Sequence, residues 1–117
     1  MALNDFIDKM NRMFYVYFIK SIKRNFVYVG ITNNLQLRYK QHNSKQNLST
    51  KSYAPFRLVY YEAYTDKRDA VDRENKLKHH GSVIGHLKKR LKYSMLAPKG
   101  LGESKIGDTG EVVTRHV

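Results

Sequence analysis

The chain has 117 residues, 22 Lys and Arg against 10 Asp and Glu, a formal net charge of +12, and no cysteine. That length supports one domain with a modest core, and the missing cysteines exclude disulfides, thiolate zinc sites and a cysteine nucleophile. So large a positive charge opposes compaction by self-repulsion and points to a polyanionic partner. Nucleic acid stands first, an anionic membrane surface second, and a merely solubilising basic surface third. No apolar run approaches the ~20 residues that cross a bilayer. The first twelve residues also lack the apolar core and cleavage site of a secretory signal. The expectation is a soluble, cytoplasmic protein with no membrane partner.

Residues 1–12 read either as a short helix, with Leu3, Phe6, Ile7 and Met10 at helical spacing, or as a loose extension ahead of Met13. Two aromatic-rich runs follow, Phe14 to Ile19 and Phe26 to Ile31, joined by a polar connection of hairpin length. Symmetric pairing about that connection sets Ile19 opposite Phe26, Tyr17 opposite Tyr28 and Tyr15 opposite Gly30. Alternation then gives one face of Phe14, Val16, Phe18, Val27, Val29 and Ile31, all hydrocarbon. The other face carries three phenols beside a glycine.

Thr32-Asn33-Asn34 supplies N-cap chemistry for a helix from about 34 to 43, on which Leu35, Arg38, Tyr39 and His42 form one stripe. An Arg and a His on an inward stripe imply a polar cavity. Residues 44–55 read as a mobile basic loop with Lys45 and Lys51, and 56–64 as a third strand. Thr65 or Asp66 caps a helix from about 67 to 79. Ser82 opens another, whose apolar stripe is Val83, Ile84, Leu87 and Leu91. The Gly-containing tail from Ala97 is expected to be disordered or lightly docked. The expected fold is a small α/β sandwich, a central three-stranded antiparallel sheet flanked by helices in the order β-β-α-β-α-α. Its domain spans 13–93, between an extension (1–12) and a flexible tail (94–117).

Glu74 is the most informative residue. It shares a helix face with Ala70, Val71 and Leu77, where a carboxylate is costly unless paired, hydrogen-bonded or metal-bound. The plain alternative is an i,i+4 pair with Lys78, on a helix where Asp69–Arg73 and Asp72–Lys76 have the same spacing. Arg38 offers a planar fork for phosphate, against a surface arginine on a basic protein. His42 is a candidate general base, against an exposed histidine favoured by the helix dipole. His79 and His80 are adjacent, diverge on a helix, and do not make a metal pair.

Tyr15-Val16-Tyr17, then Tyr28-Val29-Gly30, then Arg38, His42 and Glu74, within about 13–93, resemble the GIY-YIG nuclease domain family. The resemblance is to its small stand-alone bacterial members, those described as excinuclease-subunit-like or endonuclease-like. It implies a phosphodiester-hydrolysing endonuclease acting with one Mg²⁺ or Mn²⁺, on DNA before RNA, in DNA repair, recombination or mobile-element processing. Carried over by position, Glu74 looks like the metal-binding carboxylate, Arg38 the catalytic arginine, and Tyr17 and Tyr28 the motif tyrosines. Tyr28 is the first choice as general base, with His42 as assistant or rival. Tyr15, Gly30, Lys45, Lys51 and Lys78 are assigned to the substrate, Gly30 by allowing its backbone close to the strand.

The first tripeptide begins with Tyr15 rather than Gly, and Ile31-Thr32 stands where some relatives carry a lysine, which gives His42 more weight. An Asn that some members place after the metal-binding Glu has no counterpart matched here. The competing reading is a non-catalytic nucleic-acid-binding module using the same basic surface. Substrate specificity is expected to come from a protein partner, since small stand-alone members lack attached DNA-recognition domains.

Overall fold

The computed structural model describes residues 2–10 and 12–96. Its elements are α1 (Leu3–Met10), β1 (Phe14–Ser21), β2 (Val27–Thr32), α2 (Leu35–Asn43), β3 (Phe56–Tyr64), α3 (Lys67–His79) and α4 (Gly81–Arg90), with a 3-10 turn at Lys51–Tyr53. The sheet is antiparallel in the order β2-β1-β3. The central strand therefore reads as an unbroken apolar run, because both of its faces are covered. Val16, Tyr17, Phe18 and Ile19 are all at most 2% exposed.

The hydrocarbon face packs under α3 and α4. Val16, Phe18, Val27 and Val29 meet Ala70, Leu77, Leu87 and Met95, with Val83, Ile84 and Leu91 at the margin. The phenol face packs under α2 and the segment that follows it, where Tyr17 and Ile19 meet Ala54, Phe56, Leu35 and Tyr39. The expected β-β-α-β-α-α frame is present, preceded by α1. Leu3, Phe6 and Ile7 of α1 are exposed and join neither core.

The hairpin register differs from symmetric pairing by two residues: Tyr17 stands opposite Gly30, Ile19 opposite Tyr28 and Tyr15 opposite Thr32. The turn is tighter than expected. Ser21 N–H donates to the Phe26 carbonyl at 2.9 Å, and the Ser21 hydroxyl accepts from the Arg24 N–H at 3.0 Å. A two-residue slip leaves every side chain on its own face, so the division into a hydrocarbon and a phenol face survives.

Asn34 caps α2 through its Oδ1, which accepts from the Leu37 N–H at 3.1 Å, and Asp66 caps α3 by accepting from the Arg68 N–H at 2.9 Å. The third helix of the expected frame begins at Gly81 rather than Ser82, with His80 between α3 and α4. Residues 44–55, expected to be a mobile loop, are anchored: Thr50 is fully buried, Ala54 nearly so, and the 3-10 turn intervenes. The chain also stays docked past residue 93, the expected end of the domain. Met95 joins the core, and Arg57 donates to the Ser94 and Met95 carbonyls at 2.9 and 2.7 Å. The expected disorder of the tail from Ala97 lies outside the described residues.

Candidate active site

Two helical stripes on α2 do different work. Leu35 and Tyr39 pack on the sheet, and Tyr39 O–H donates to the Phe56 carbonyl at 2.8 Å. Arg38 and His42, three residues further on and so rotated about 60°, reach the Tyr17 hydroxyl. Arg38 Nε donates to it at 3.4 Å, and His42 Nε2 lies 2.8 Å away. His42 Nδ1 sits 2.8 Å from Thr50 Oγ1. Asn43 fixes the end of α2, its Oδ1 accepting from the Phe56 N–H at 2.6 Å and its Nδ2 donating to the Phe56 carbonyl at 3.1 Å.

Counting donors assigns the protons. The Thr50 hydroxyl donates to the Asn47 carbonyl at 3.5 Å and so accepts from Nδ1–H, which leaves His42 Nε2 bare to accept the Tyr17 hydrogen while the Tyr17 oxygen accepts from Arg38. His42 then carries its proton on Nδ1 and donates it to Thr50. Burial, helped by the Arg38 charge, pulls His42 down to about 4, so the neutral ring this chain requires is the one present at neutral pH. Burial also pushes Tyr17 up to about 12, against the opposing hydrogen bond from Arg38, and the charges of Tyr28 and Glu74 add to the rise.

His42 is therefore neither the exposed helix-end histidine nor an accessible base. It is 0% exposed, both ring nitrogens are bonded, and the rings of Tyr17, Tyr28 and Phe56 surround it with centroids at 5.6, 5.0 and 5.9 Å. Gly30 likewise does not admit substrate, because the Tyr17 ring already lies over it and a Cβ there would overlap that ring. Glycine at this position makes room for Tyr17.

Glu74 on α3 is close enough for its charge to act on Tyr17, and it forms the i,i+4 pair with Lys78. Its carboxylate is largely buried, 16% exposed, and pairs with Lys78 at 3.2 Å. Lys78 Nζ in turn lies 5.3 Å from the centre of the Tyr28 ring, so Lys78 is engaged on both sides. Of the two other i,i+4 pairs expected on α3, Asp72–Lys76 forms at 3.1 Å. Arg73 instead turns to Glu62 of β3, with contacts at 2.9 to 3.1 Å. The Tyr28 hydroxyl has no hydrogen bond among the described residues, and it is half-buried.

Among the described residues no three His, Cys, Asp or Glu side chains gather. A metal at this site would thus have Glu74 as its protein carboxylate and water for most of its other ligands. Hard oxygen donors of that kind fit Mg²⁺ or Mn²⁺ and not zinc. Lys45 and Lys51 are exposed on the 44–55 segment, Lys51 directly after the buried Thr50. Tyr15 shares the sheet face of Tyr17 but lines a groove beside α2 instead of joining the cluster, in edge-to-face contact with Tyr61 at 5.8 Å.

Thr50 and the Glu62–Arg73 pair could not be found from the sequence. A threonine in a polar loop and a strand glutamate carry no periodic signal, and each acquires its role from a partner distant in the chain. Among the described residues no helix is long and apolar enough to cross a membrane.

Comparison with known proteins bears on this geometry. Three bacterial relatives share the name UPF0213 protein. The one from Clostridium perfringens is 42% identical over 67 residues, covering 56% of this chain and 71% of its own. That from Staphylococcus haemolyticus is 38% identical over 65 residues, covering 55% and 78%. That from Bacillus pumilus is 36% identical over 73 residues, covering 62% and 71%. No solved structure matches this chain significantly. The family model described as the GIY-YIG catalytic domain matches residues 13–83, a span that holds Tyr17, Tyr28, Arg38, His42 and Glu74 together, and the chain belongs to the GIY-YIG family.

Proposed function

We propose that this protein is a metal-dependent endonuclease that hydrolyses phosphodiester bonds, with DNA as its substrate. The observation that carries the reading is that Arg38 bonds the Tyr17 hydroxyl and the Glu74 charge acts on that same hydroxyl, although the three arise from a helix, a strand and a second helix. The net charge of +12 supports a polyanionic substrate.

Hydrolysis needs a deprotonated water, neutralised phosphate charge and a stabilised leaving oxygen. Arg38 takes the second task. Its Nε is held by Tyr17, while Nη2 has no partner among the described residues and can bind a non-bridging oxygen as charge grows there. Tyr17 and His42 lie behind it as positioning residues. Burial holds Tyr17 up at about 12 and His42 down at about 4, so both stay neutral near pH 7 and neither is set to take a proton from water. Tyr28, whose hydroxyl has no hydrogen bond among the described residues, is the base. Glu74 would hold the Mg²⁺ or Mn²⁺, releasing Lys78 toward the substrate backbone. The bound ion supplies charge neutralisation and a stable position for the leaving oxygen.

The test is cleavage of labelled duplex, single-stranded and branched DNA, and of RNA, with Mg²⁺ or Mn²⁺, alongside binding measured in chelator. Wild type should cut at least one substrate. Glu74→Ala and Arg38→Ala should cut at least about a hundredfold more slowly while still binding. Binding without cleavage by any form, under every metal, would replace this reading with that of a non-catalytic nucleic-acid-binding module.

A further inference from the structure

Beside the cluster, on the other flank of α2, a groove of about 610 Å³ is lined by Tyr15, Tyr61, Leu58 and Tyr39 and, at the start of α2, by Asn33 and Gln36. None of these residues belongs to the Arg38–Tyr17–His42–Thr50 chain. Tyr61 is half exposed although it packs edge-to-face on Tyr15. Neither the Asn33 nor the Gln36 side chain makes a hydrogen bond among the described residues, whereas the neighbouring Asn34 is committed to the helix cap. From these features we infer that the groove receives an unpaired nucleobase of the bound DNA strand. The inference rests on the nucleic-acid reading above and adds a preference for substrates with a single-stranded element.

The chemistry matches a base better than a phosphate or an apolar side chain. The exposed Tyr61 ring offers a stacking surface that any base can use. Amides that carry both donor and acceptor suit the edge of a base, which displays both. No Lys or Arg lines the groove, and the Asn34 side chain already takes the Leu37 N–H at the start of α2, so the groove favours a base over a phosphate. Its volume lies within the range of small-ligand sites. Its position also suits a neighbour of the scissile phosphate, because Tyr61 is the cross-strand partner of Tyr17 and shares its face of the sheet. In a duplex the bases are stacked and paired inside, out of reach of such a groove. Single-stranded, flapped or mismatched DNA presents them.

The experiment is fluorescence anisotropy in chelator, which prevents cleavage. It compares a mixed-sequence single-stranded DNA with an abasic oligomer carrying the same number of phosphates. Wild type should bind the base-bearing strand about tenfold more tightly. Tyr61→Ala should erase that ratio while leaving abasic binding unchanged, and Asn33→Ala with Gln36→Ala should reduce it. The surface positions of all three substitutions make unfolding an easily checked complication. Equal affinity of wild type for the two oligomers overturns the inference. So does a ratio unchanged in every variant, or displacement of the strand by a deoxynucleoside monophosphate as efficiently as by unlabelled strand. Because binding is read without catalysis, a protein that cleaves but does not discriminate bases loses only the groove. One that discriminates bases but never cleaves loses only the nuclease reading.

Discussion

The Tyr17 hydroxyl sits 2.8 Å from Nε2 of a fully buried His42, and that contact ties the middle of β1 to the last turn of α2. It is one link in a chain from Arg38 to Thr50 in which every proton has an assigned place. The chain works only with a neutral imidazole. A protonated ring would place a charge in a buried site beside the Arg38 cation, and its Nε2–H would meet the Tyr17 O–H donor to donor.

Stability should therefore depend on His42 protonation. The ring takes up its proton near 6.5 when unfolded and near about 4 when folded. Between these values the unfolded chain binds more protons, so stability falls as pH drops through that window and levels off below it. The loss is on the order of 3 kcal/mol. Urea denaturation from pH 7.5 to 4 should show this slope, and His42→Gln should flatten it. Thr50→Val, which leaves the Nδ1–H unpaired, should cost about 1–3 kcal/mol at pH 7.5. An unchanged slope in His42→Gln would mean that other groups govern acid stability.

Gly30→Ala should be disproportionately harmful. The added methyl would overlap the Tyr17 ring, and that ring cannot swing away without breaking its bonds to Arg38 and His42. The expected cost is about 1–3 kcal/mol of stability. Cleavage should fall by more than DNA binding does, because the substitution displaces Arg38 without removing a surface charge. Thermal melts, cleavage rates and anisotropy on one preparation separate these effects. Wild-type cleavage by Gly30→Ala would show that Tyr17 does not position Arg38.

Glu62 offers the opposite case. Burial alone would push its carboxyl up, but hydrogen bonds from Arg73, Tyr64 and Tyr60 outweigh it and hold the group below the ordinary carboxylate range. Glu62→Gln should destabilise the fold by about 1.5–3 kcal/mol at neutral pH, and because the folded value is depressed, that contribution is lost as pH falls through it. The pair lies on the sheet face away from Tyr17, so cleavage well below the melting temperature should stay within about twofold of wild type. A large loss of cleavage would mean that Arg73 holds its α3 neighbour Glu74 in place.

What the chain announces in advance is whatever depends on neighbours in sequence. The strands of β1, β2 and β3, the caps at Asn34 and Asp66, and the division into hydrocarbon and phenol faces all follow from local propensity and alternation. Arg38 and Glu74 stood out because each is charged at an inward position of a helix. A two-residue slip in the hairpin did not disturb these expectations, since a shift by the strand period leaves faces intact.

By itself, then, the sequence determined the elements, the faces and which side chains were out of place for a simple core, because periodicity and side-chain chemistry are local properties. Tertiary structure alone decided that His42 is buried and neutral, that Gly30 is filled by Tyr17, that Thr50 orients the imidazole and that Arg73 leaves Asp69 for Glu62. Each of those depends on how α2, α3 and the 44–55 segment close over the sheet. Protonation and pairing there are set by desolvation and by partners brought from far along the chain, which no local pattern encodes.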